Sequence, residues 1–248
     1  MLTAIIVAAG CSRRMGFDKL FATIAGKPVI AHSIDAFERT ASVSEIIVVA
    51  REDRHGEVKE IVRDENFEKV RSIIAGGENR QDSVRAGLSR LSTDAKYVAA
   101  HDAARPLITA DQIERVFEQC QTHGAAALAE PVKDTIKRTG ADLLVTGSVD
   151  RHQLYAMQTP QIFERALLEQ AYRAVYAENV SVTDEVSAVE ELGRKVVLVV
   201  NDDFNFKITY PRDLPLAEFL LKQRTKPAPN DRARPSSAPR KALRHRSR

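Results

Sequence analysis

The sequence predicts an α/β protein built on a mostly parallel sheet with helices on both faces. Short apolar runs rich in Val, Ile and Ala alternate along the chain with longer segments in which apolar residues recur every three to four positions. The apolar runs end at Gly, Asp or charged residues, as the buried strands of a parallel sheet do. A chain of 248 residues that is 44% hydrophobic can bury a large core of this kind.

The strands and helices are predicted in alternation, in a Rossmann-like, doubly wound arrangement. Right-handed crossovers would place the strand ends, and any ligand, along one edge of the sheet. The predicted strands are residues 4–9, 46–50, 70–74, 97–100, 125–129 and 196–200. The predicted helices are residues 29–39, 57–66, 80–91, 111–123, 164–177 and 184–192.

Residues 132–153 interrupt this alternation. They alternate polar and apolar residues and contain two Thr-Gly pairs, at 139–140 and 146–147, which are typical of turns. We therefore predict a β-hairpin arm inserted into the α/β body. An arm of this kind either covers a site or reaches a second subunit.

The formal net charge of +3 hides an asymmetry between the body and the C-terminal segment. Residues 223–248 hold nine basic residues and one acid, whereas residues 1–222 carry a net charge of −5. The segment 223–248 is also rich in Pro and Ser and nearly free of apolar residues. We therefore predict one domain over 1–222 and a disordered basic tail. Charge must lie on a folded face to bind nucleic acid, so that function is disfavoured, apart from a weak contact by the tail.

Cysteine usage and hydropathy exclude several classes of protein. The two cysteines, Cys11 and Cys120, cannot form a disulfide scaffold or a four-cysteine metal site. No run approaches the roughly 18 apolar residues that a membrane-spanning helix needs. The N-terminal LTAIIVAAGC resembles the end of a secretory signal, but no Lys or Arg precedes its short apolar run. We expect a cytoplasmic, reduced protein with no membrane partner.

The first candidate site follows the first strand, at Ala8-Ala9-Gly10 and the loop that continues to Lys19. A strand that ends in small residues lets a ligand approach the backbone, whose amides can bind phosphate oxygens. Arg14 and Lys19 bring two cations to this loop, which favours a nucleoside triphosphate. The loop is neither a Walker A loop nor GxGxxG, and an ordinary turn with solvated charges is the alternative.

The second candidate site is HDAARP at 101–106, which follows the fourth predicted strand. An acid at the carboxyl end of a strand points into the ligand crevice of an α/β sheet. Asp102 could therefore hold Mg²⁺ or a substrate hydroxyl, and Arg105 could hold a phosphate. The alternative is an Asp–Arg pair that only orders a loop. His101 is expected to be structural.

A third candidate site, Gly77 with Ser83, opens the third predicted helix. Gly77 permits close approach of a ligand to the backbone, and Ser83 could hydrogen-bond a base or a ribose. A plain helix cap by Asn79 or Asp82 explains the same residues. Cys11 lies in a positive loop, but no histidine partner is evident, so a nucleophilic role is not favoured.

Taken together, these motifs resemble a known family. AAGCSRRMG at 8–16, with Lys19, is similar to the signature loop of the nucleotidyltransferase superfamily. The further motifs, in their order, resemble the 2-C-methyl-D-erythritol 4-phosphate cytidylyltransferases of the non-mevalonate isoprenoid pathway. The resemblance spans about residues 3–222. The motifs that carry it are HDAARP at 101–106, VKDT at 132–135, VDR at 149–151, TPQ at 159–161, TDE at 183–185 and FKIT at 206–209.

The resemblance implies transfer of a cytidylyl group from CTP to 2-C-methyl-D-erythritol 4-phosphate, with release of pyrophosphate and a requirement for Mg²⁺ whose ligands are not assigned. It implies that cytosine and ribose contact Ala8, Ala9, Gly10, Gly77, Ser83 and Ala103. It implies that the methylerythritol phosphate contacts Asp102, Arg105, Thr159 and Lys207. The family's dimers exchange arms, so the residues implied to serve the partner subunit's site are Asp134, Thr135 and Arg151. The cations implied to act in catalysis are Arg14, Lys19, Arg151 and Lys207.

Two features depart from the family. Its loop lysine commonly lies in Pro-Lys-Gln after a longer loop, whereas here it lies in Asp18-Lys19-Leu20, soon after Arg14. The resemblance therefore does not predict the path of this loop, although it does predict the cationic side chains that the loop carries. The basic tail has no counterpart in the family's catalytic core.

Three other functions fit part of the sequence. A cytidylyltransferase for another polyol phosphate, such as ribitol 5-phosphate, shares much of the scaffold, although Ala104 favours methylerythritol phosphate. A guanylyltransferase of the molybdopterin type shares the first loop but not the arm or the TPQ motif. A nucleotide-binding module without catalysis would not need every candidate cation.

Overall fold

The structure is a computed structural model of the chain that describes residues 1–10 and 15–224. Its strands, in chain order, are β1 Leu2–Ala8, β2 Thr23–Ile24, β3 Lys27–Pro28, β4 Val43–Ala50, β5 Val70–Ala75, β6 Tyr97–Asp102, β7 Ala125–Pro131, β8 Ile136–Thr139, β9 Val145–Val149, β10 Tyr155–Glu164 and β11 Val197–Val200. Its α-helices are α1 Val29–Arg39, α2 His55–Asp64, α3 Arg80–Leu88, α4 Ala110–His123, α5 Arg165–Ala177, α6 Glu185–Glu190 and α7 Asp213–Arg224. Two short 3-10 helices span Lys19–Phe21 and Glu52–Arg54.

A seven-stranded sheet in the order β11-β7-β10-β6-β1-β4-β5 forms the centre of the molecule. β10 is antiparallel to its neighbours β6 and β7, and the other paired strands of this sheet are parallel. The predicted α/β class, with a doubly wound and mostly parallel sheet, is confirmed. The parallel strands β1, β4 and β6 all finish at the same edge, where Ala8 lies opposite Ala50 and Val7 opposite Asp102.

Helices cover both faces of the sheet because its strands carry buried side chains on both sides. On β1, Ile6 belongs to the core that also contains Phe37 of α1 and Ile113 of α4. The adjacent Ile5 belongs to the opposite core, with Val84 of α3. In the described part of the chain, no helix combines the length and apolar composition needed to cross a bilayer.

The predicted arm is present as the antiparallel hairpin β8–β9, within residues 132–153. The turn follows Thr139, as the first Thr-Gly pair predicts. The second pair does not form a turn, since Gly147 lies in β9 opposite Arg138. The tip of the hairpin is apolar and exposed, and Leu143 is 80% accessible.

Two elements do not follow from the sequence patterns. The segment that forms β10 carries polar motifs and no strand pattern, yet it lies between β6 and β7 in the middle of the sheet. α7 extends two residues past the predicted domain end at residue 222, and Arg224 donates to the Leu107 carbonyl at 2.6 Å and pairs with Asp203 at 2.7 Å. The rest of the predicted basic tail lies outside the described residues.

Candidate active site

A pocket of about 460 Å³ opens at the carboxyl edge of the sheet, where β1 and β6 end. Its walls come from the end of β1, the 3-10 helix Lys19–Phe21, the loop before α3, the end of β6 and the segment 207–209. Candidate site residues that lie several tens of positions apart in sequence are therefore brought together. Those that line the pocket are Ala8, Ala9, Gly10, Lys19, Gly77, Ser83, Asp102 and Lys207.

The loop before α3 packs directly on the end of β1 because both have minimal side chains there. A Cβ on Gly76 would lie 2.3 Å from the Cβ of Ala9, and a Cβ on Gly77 would lie 2.2 Å from that of Asp82. Neither approach is compatible with a side chain at the glycine. This part of the pocket wall is consequently made of backbone, as the small residues at these positions predicted for a surface that a ligand can approach closely.

Ser83 and Asn79 order this glycine loop. The Ser83 hydroxyl accepts a hydrogen bond from the Gly77 amide at 3.2 Å and donates to the Asn79 carbonyl at 3.2 Å. The Asp82 carboxylate accepts from the Asn79 amide at 3.0 Å in a capping box. The helix-cap interpretation is therefore confirmed, and Gly77 and Ser83 also line the pocket.

A buried ion-pair network around Arg80 underlies the pocket. Arg80 Nε donates to Asp102 Oδ1 at 2.8 Å, and its Nη1 and Nη2 donate to the two oxygens of Glu185 at 2.7 and 3.0 Å. Lys207 Nζ donates to Asp102 Oδ2 at 2.7 Å. Both oxygens of Asp102 are thus engaged by cations. No sequence pattern indicated Arg80 as a site residue.

The network keeps Asp102 and Arg80 in their charged forms. Burial alone would favour neutral Asp102, but Arg80, and next to it Lys207, hold the pKa of that carboxyl well below its usual range. Burial likewise opposes the charge of Arg80, yet Glu185 and Asp102 together raise its pKa. Glu185 is fully buried and also accepts from the Tyr172 hydroxyl at 3.0 Å. The two cations and two carboxylates balance each other's charge.

Gln161 of β10 and Asp184 place Glu185 under the pocket. The Gln161 side-chain oxygen accepts from the amides of Glu185 and Val186, both at 3.1 Å. Asp184 accepts from the Gln161 side-chain amide at 2.8 Å and caps α6 through the Ser187 amide at 3.0 Å. The TPQ and TDE motifs, each of which is a weak signal alone in the sequence, are therefore joined by hydrogen bonds into one structural unit.

Lys19 is a further cation that lines the pocket. It begins the 3-10 helix Lys19–Phe21, and its Nζ donates to the carbonyl of Ile208 at 2.5 Å. This contact brings Lys19 next to Lys207 and Thr209, which line the same cavity. The predicted partner cation Arg14, and Cys11 with it, lie outside the described residues.

Three predicted site residues lie behind the wall rather than in it. Ala103 is fully buried, and its neighbour Ala104 lines the pocket instead. The Arg105 guanidinium donates to the Asn205 carbonyl at 2.8 Å, so it ties the 205–207 segment to β6 rather than facing the cavity. The Thr159 hydroxyl accepts from the Asp102 amide at 3.0 Å and supports that residue from beneath.

His101 is buried beside these residues. Its Nδ1 lies 3.1 Å from the Thr159 hydroxyl, and its ring packs 4.9 Å from that of Phe37. Burial lowers the pKa of His101 to about 3, so the imidazole is neutral at physiological pH.

The candidate residues of the arm do not line this chain's pocket. Asp134 and Thr135 are exposed just before β8, and Arg151 is exposed just after β9. Arg151 donates to the carbonyl of Lys133, which joins the two ends of the hairpin. These three residues form a polar group at the base of the arm.

The pocket does not fit a metal held by protein ligands alone. Among residues 1–10 and 15–224, no group of three or more His, Cys, Asp or Glu side chains is placed to hold an ion. Asp102 is the buried carboxylate of the wall, and both its oxygens already bind cations. A divalent ion at this site would therefore have to take most of its ligands from a bound phosphate or from water.

Comparisons with known proteins point to one family. The family model described as IspD: 2-C-methyl-D-erythritol 4-phosphate cytidylyltransferase matches residues 2–223. The enzyme of that name from Dehalococcoides mccartyi strain CBDB1 is 43% identical over 221 residues, which cover 89% of this chain and 96% of the relative. The crystal structure of 4-diphosphocytidyl-2C-methyl-D-erythritol synthase from Anaerococcus prevotii superposes with a TM-score of 0.79 at 29% identity, covering 90% of this chain and 96% of the other. That of the Thermus thermophilus cytidylyltransferase gives 0.74 at 29% identity, with coverage of 88% and 98%.

Proposed function

Because the chain belongs to the 2-C-methyl-D-erythritol 4-phosphate cytidylyltransferase family, we propose that the pocket at the carboxyl edge of its sheet is where that reaction takes place. The chain is a nucleotidyltransferase that joins the cytidylyl group of CTP to 2-C-methyl-D-erythritol 4-phosphate and releases pyrophosphate. The observation that supports the location is the meeting of Lys19 and Lys207 with the glycine loop in one cavity. Transfer to another polyol phosphate is not favoured.

The reaction requires aligned substrates and fixed positive charges, and it requires no nucleophile from the protein. The attacking group is a phosphate oxygen that is already an anion, so no general base is needed. The acceptor phosphate, the α-phosphorus of CTP and the leaving pyrophosphate must lie in line. Two polyanions repel each other, and fixed cations offset that repulsion most in the transition state.

We assign the two walls of the pocket to the two substrates. The backbone of Ala8-Ala9-Gly10 and Gly77 suits cytosine and ribose, because no side chain blocks their approach. Lys19, with Arg14 from the neighbouring loop, would bind the triphosphate and stabilise the charge that develops on it. Lys207, held by Asp102 at 2.7 Å, lies on the side left for the acceptor phosphate.

We propose a homodimer in which each arm serves the other subunit's pocket. The support is the position of Asp134, Thr135 and Arg151, which lie on the arm and not in this chain's own cavity. Leu143 and Leu144 at the tip are 80% and 67% exposed, so an apolar surface is available for the partner. In such a dimer Arg151 would bind the acceptor phosphate.

Mg²⁺ is proposed to enter with CTP. Bound to the triphosphate, the ion would neutralise part of its negative charge and so reduce repulsion of the acceptor phosphate. We also propose a cytoplasmic location, which the low cysteine count supports. Weak binding of RNA or another acidic partner by the basic tail is a separate proposal that does not bear on the reaction.

Pyrophosphate release tests the assignment directly. Purified protein would be assayed with CTP and Mg²⁺ and with methylerythritol 4-phosphate, ribitol 5-phosphate or no acceptor. We expect release with methylerythritol 4-phosphate alone. Release with ribitol 5-phosphate would overturn the substrate assignment, and CTP binding without turnover would indicate a binding module.

Lys19→Ala tests the role of the loop cation. Removing one preorganised electrostatic contact to the transition state lowers kcat by about 10²-fold or more. Steady-state kinetics with saturating CTP would measure this loss, and circular dichroism would confirm that the variant folds. A kcat close to that of the unmodified enzyme would remove Lys19 from the mechanism.

Arg151→Ala tests the proposed exchange of arms. We expect impaired use of methylerythritol 4-phosphate with CTP binding retained, because Arg151 lies outside the nucleotide side of the pocket. Mixing this variant with Lys19→Ala protein should restore part of the activity if each arm completes the partner's site. Equal loss of CTP binding and acceptor use would contradict the division of roles.

A further inference from the structure

The residue before the loop lysine has a structural setting that the family resemblance does not account for. Asp18 immediately precedes the 3-10 helix Lys19–Phe21, and its side chain is 11% exposed. Its Oδ1 accepts from the Leu20 amide at 3.3 Å and so caps the helix. One carboxylate oxygen thus fixes the turn that carries Lys19.

The other carboxylate oxygen joins this turn to the adjacent strand connection. Asp18 Oδ2 lies 3.4 Å from Arg51 Nη2 and 3.4 Å from Arg54 Nε. Arg51 directly follows β4, and Arg54 ends the 3-10 helix Glu52–Arg54. Because Ala50 of β4 lies opposite Ala8 of β1, both arginines are anchored to the sheet edge that forms the pocket.

Two further contacts strengthen the link between the turn and Arg54. The guanidinium of Arg54 lies over the ring of Phe21, 5.1 Å from its centroid. Arg54 Nε is buried and has no hydrogen-bond partner among the described residues, and the Asp18 carboxylate lies 3.4 Å from it, while Nη1 of the same guanidinium pairs with Glu57 at 2.6 Å. Removing that carboxylate would leave Arg54 paired with Glu57 but would break the contact that joins its Nε to the turn.

The geometry points to Asp18 as a positioning residue for Lys19. Its carboxylate fixes the Lys19–Phe21 turn to Arg51 and Arg54, and this sets where the Lys19 ammonium lies in the pocket. This inference rests on the proposed role of Lys19 in binding the triphosphate. A misplacement of about 1 Å in a catalytic group can cost about 10²-fold in rate, so a clamp on the turn matters for the reaction and not only for folding.

Asp18→Asn separates the clamp from the helix cap. Asparagine caps helices as well as aspartate does and has nearly the same shape, but it lacks the charge that attracts Arg51 and Arg54. Asp53→Asn is the matched control, because Asp53 is 66% exposed and pairs with the same arginine, Arg51, at 3.0 Å. Both variants remove one carboxylate partner from the same arginine.

A double-mutant cycle with Lys19→Ala supplies a readout that a merely structural role would not move. If Asp18 acts through Lys19, its loss costs little once Lys19 is gone, because coupled residues are not additive. We expect Asp18→Asn to lower kcat by about tenfold or more, a fraction of the loss for a misplaced catalytic group. In the Lys19→Ala background the same substitution should change kcat by less than about twofold. Asp53→Asn should keep kcat within about twofold of the unmodified enzyme.

The outcomes separate the inference from the proposed function. If Lys19→Ala lowers kcat but Asp18→Asn leaves it unchanged, the positioning role of Asp18 is wrong and the role of Lys19 stands. Equal multiplicative losses from Asp18→Asn in both backgrounds would show a general structural effect and overturn the inference. A normal kcat in Lys19→Ala would overturn the proposed role of Lys19 and the inference with it.

Discussion

Glu185→Gln tests whether the buried network under the pocket holds the fold together. Glu185 is fully buried, and its two oxygens accept from Arg80 while one of them also accepts from Tyr172. Glutamine has nearly the same shape but offers one oxygen and one NH₂ group. That NH₂ group would face a donor of the Arg80 guanidinium, so one of the two parallel hydrogen bonds would become a repulsive contact.

The expected cost follows from the charge left without its partner. Breaking a buried ion pair by neutralising one member typically costs about 3–5 kcal/mol. Arg80 keeps Asp102 at 2.8 Å and its side chain is 22% exposed, so we expect the lower end of the range, about 3 kcal/mol. For a domain of about 220 residues this corresponds to a fall of about 6–12 °C in Tm.

Urea unfolding followed by circular dichroism would measure the loss. The control is Glu169→Gln, because Glu169 pairs with Arg165 at 2.7 Å in a partly exposed i,i+4 pair, and such pairs contribute about 0.5 kcal/mol or less. A loss below about 1 kcal/mol for Glu185→Gln would mean that the Arg80–Glu185 pair is not a structural centre.

Two further predictions concern pH and packing. Burial lowers the pKa of His101 to about 3 against about 6.5 in the unfolded chain, so the unfolded state takes up the proton first as pH falls. This contribution to stability is complete above about pH 6.5 and is lost towards pH 3. His101→Gln should therefore make the unfolding free energy, measured by denaturant titration, depend less steeply on pH between pH 7 and 5. An unchanged dependence on pH would contradict this prediction. Gly87→Ala should cost about 1–3 kcal/mol, because its Cβ would lie 2.6 Å from Ile5 Cγ2. Gly56→Ala in α2, with open space around it, should stabilise by about 0.4–1 kcal/mol, so thermal unfolding should move the two variants in opposite directions.

The strands of the parallel sheet were predictable because each is a short run of apolar residues buried on both faces. β10 was not predictable, because it carries the polar residues Gln158, Thr159 and Gln161. Their side chains are buried, and hydrogen bonds rather than apolar contacts hold them there. Hydrophobic periodicity cannot identify a strand whose interior face is polar. α7 escaped prediction for a related reason: it exposes apolar side chains such as Phe219, which is 56% accessible, and has no clear polar face.

The pocket was predictable to the extent that strand ends in a parallel sheet meet at one edge. By that rule Asp102, at the end of β6, and Lys19, on the loop that follows β1, were expected at the same edge, and both line the pocket. The rule failed for Arg105, whose guanidinium passes behind the wall to the Asn205 carbonyl. Arg80 was missed because an arginine in the first turn of a helix is usually solvated. The paired acids of TDE were the available signal, since a buried glutamate needs a cation.

In the proposed site for two polyanions, the carboxylates under the pocket keep the cations in place. A lysine that binds phosphate is a long, flexible side chain, and its ordering on binding would cost entropy. Asp102 holds Lys207 at 2.7 Å and Arg80 holds Asp102, so this ordering is already complete before a ligand arrives. Such preorganisation makes a fixed cation more effective in the transition state than a mobile one of equal charge. Lys19 is ordered in a similar way, because Asp18 caps the turn that carries it and the Ile208 carbonyl accepts a hydrogen bond from its ammonium group.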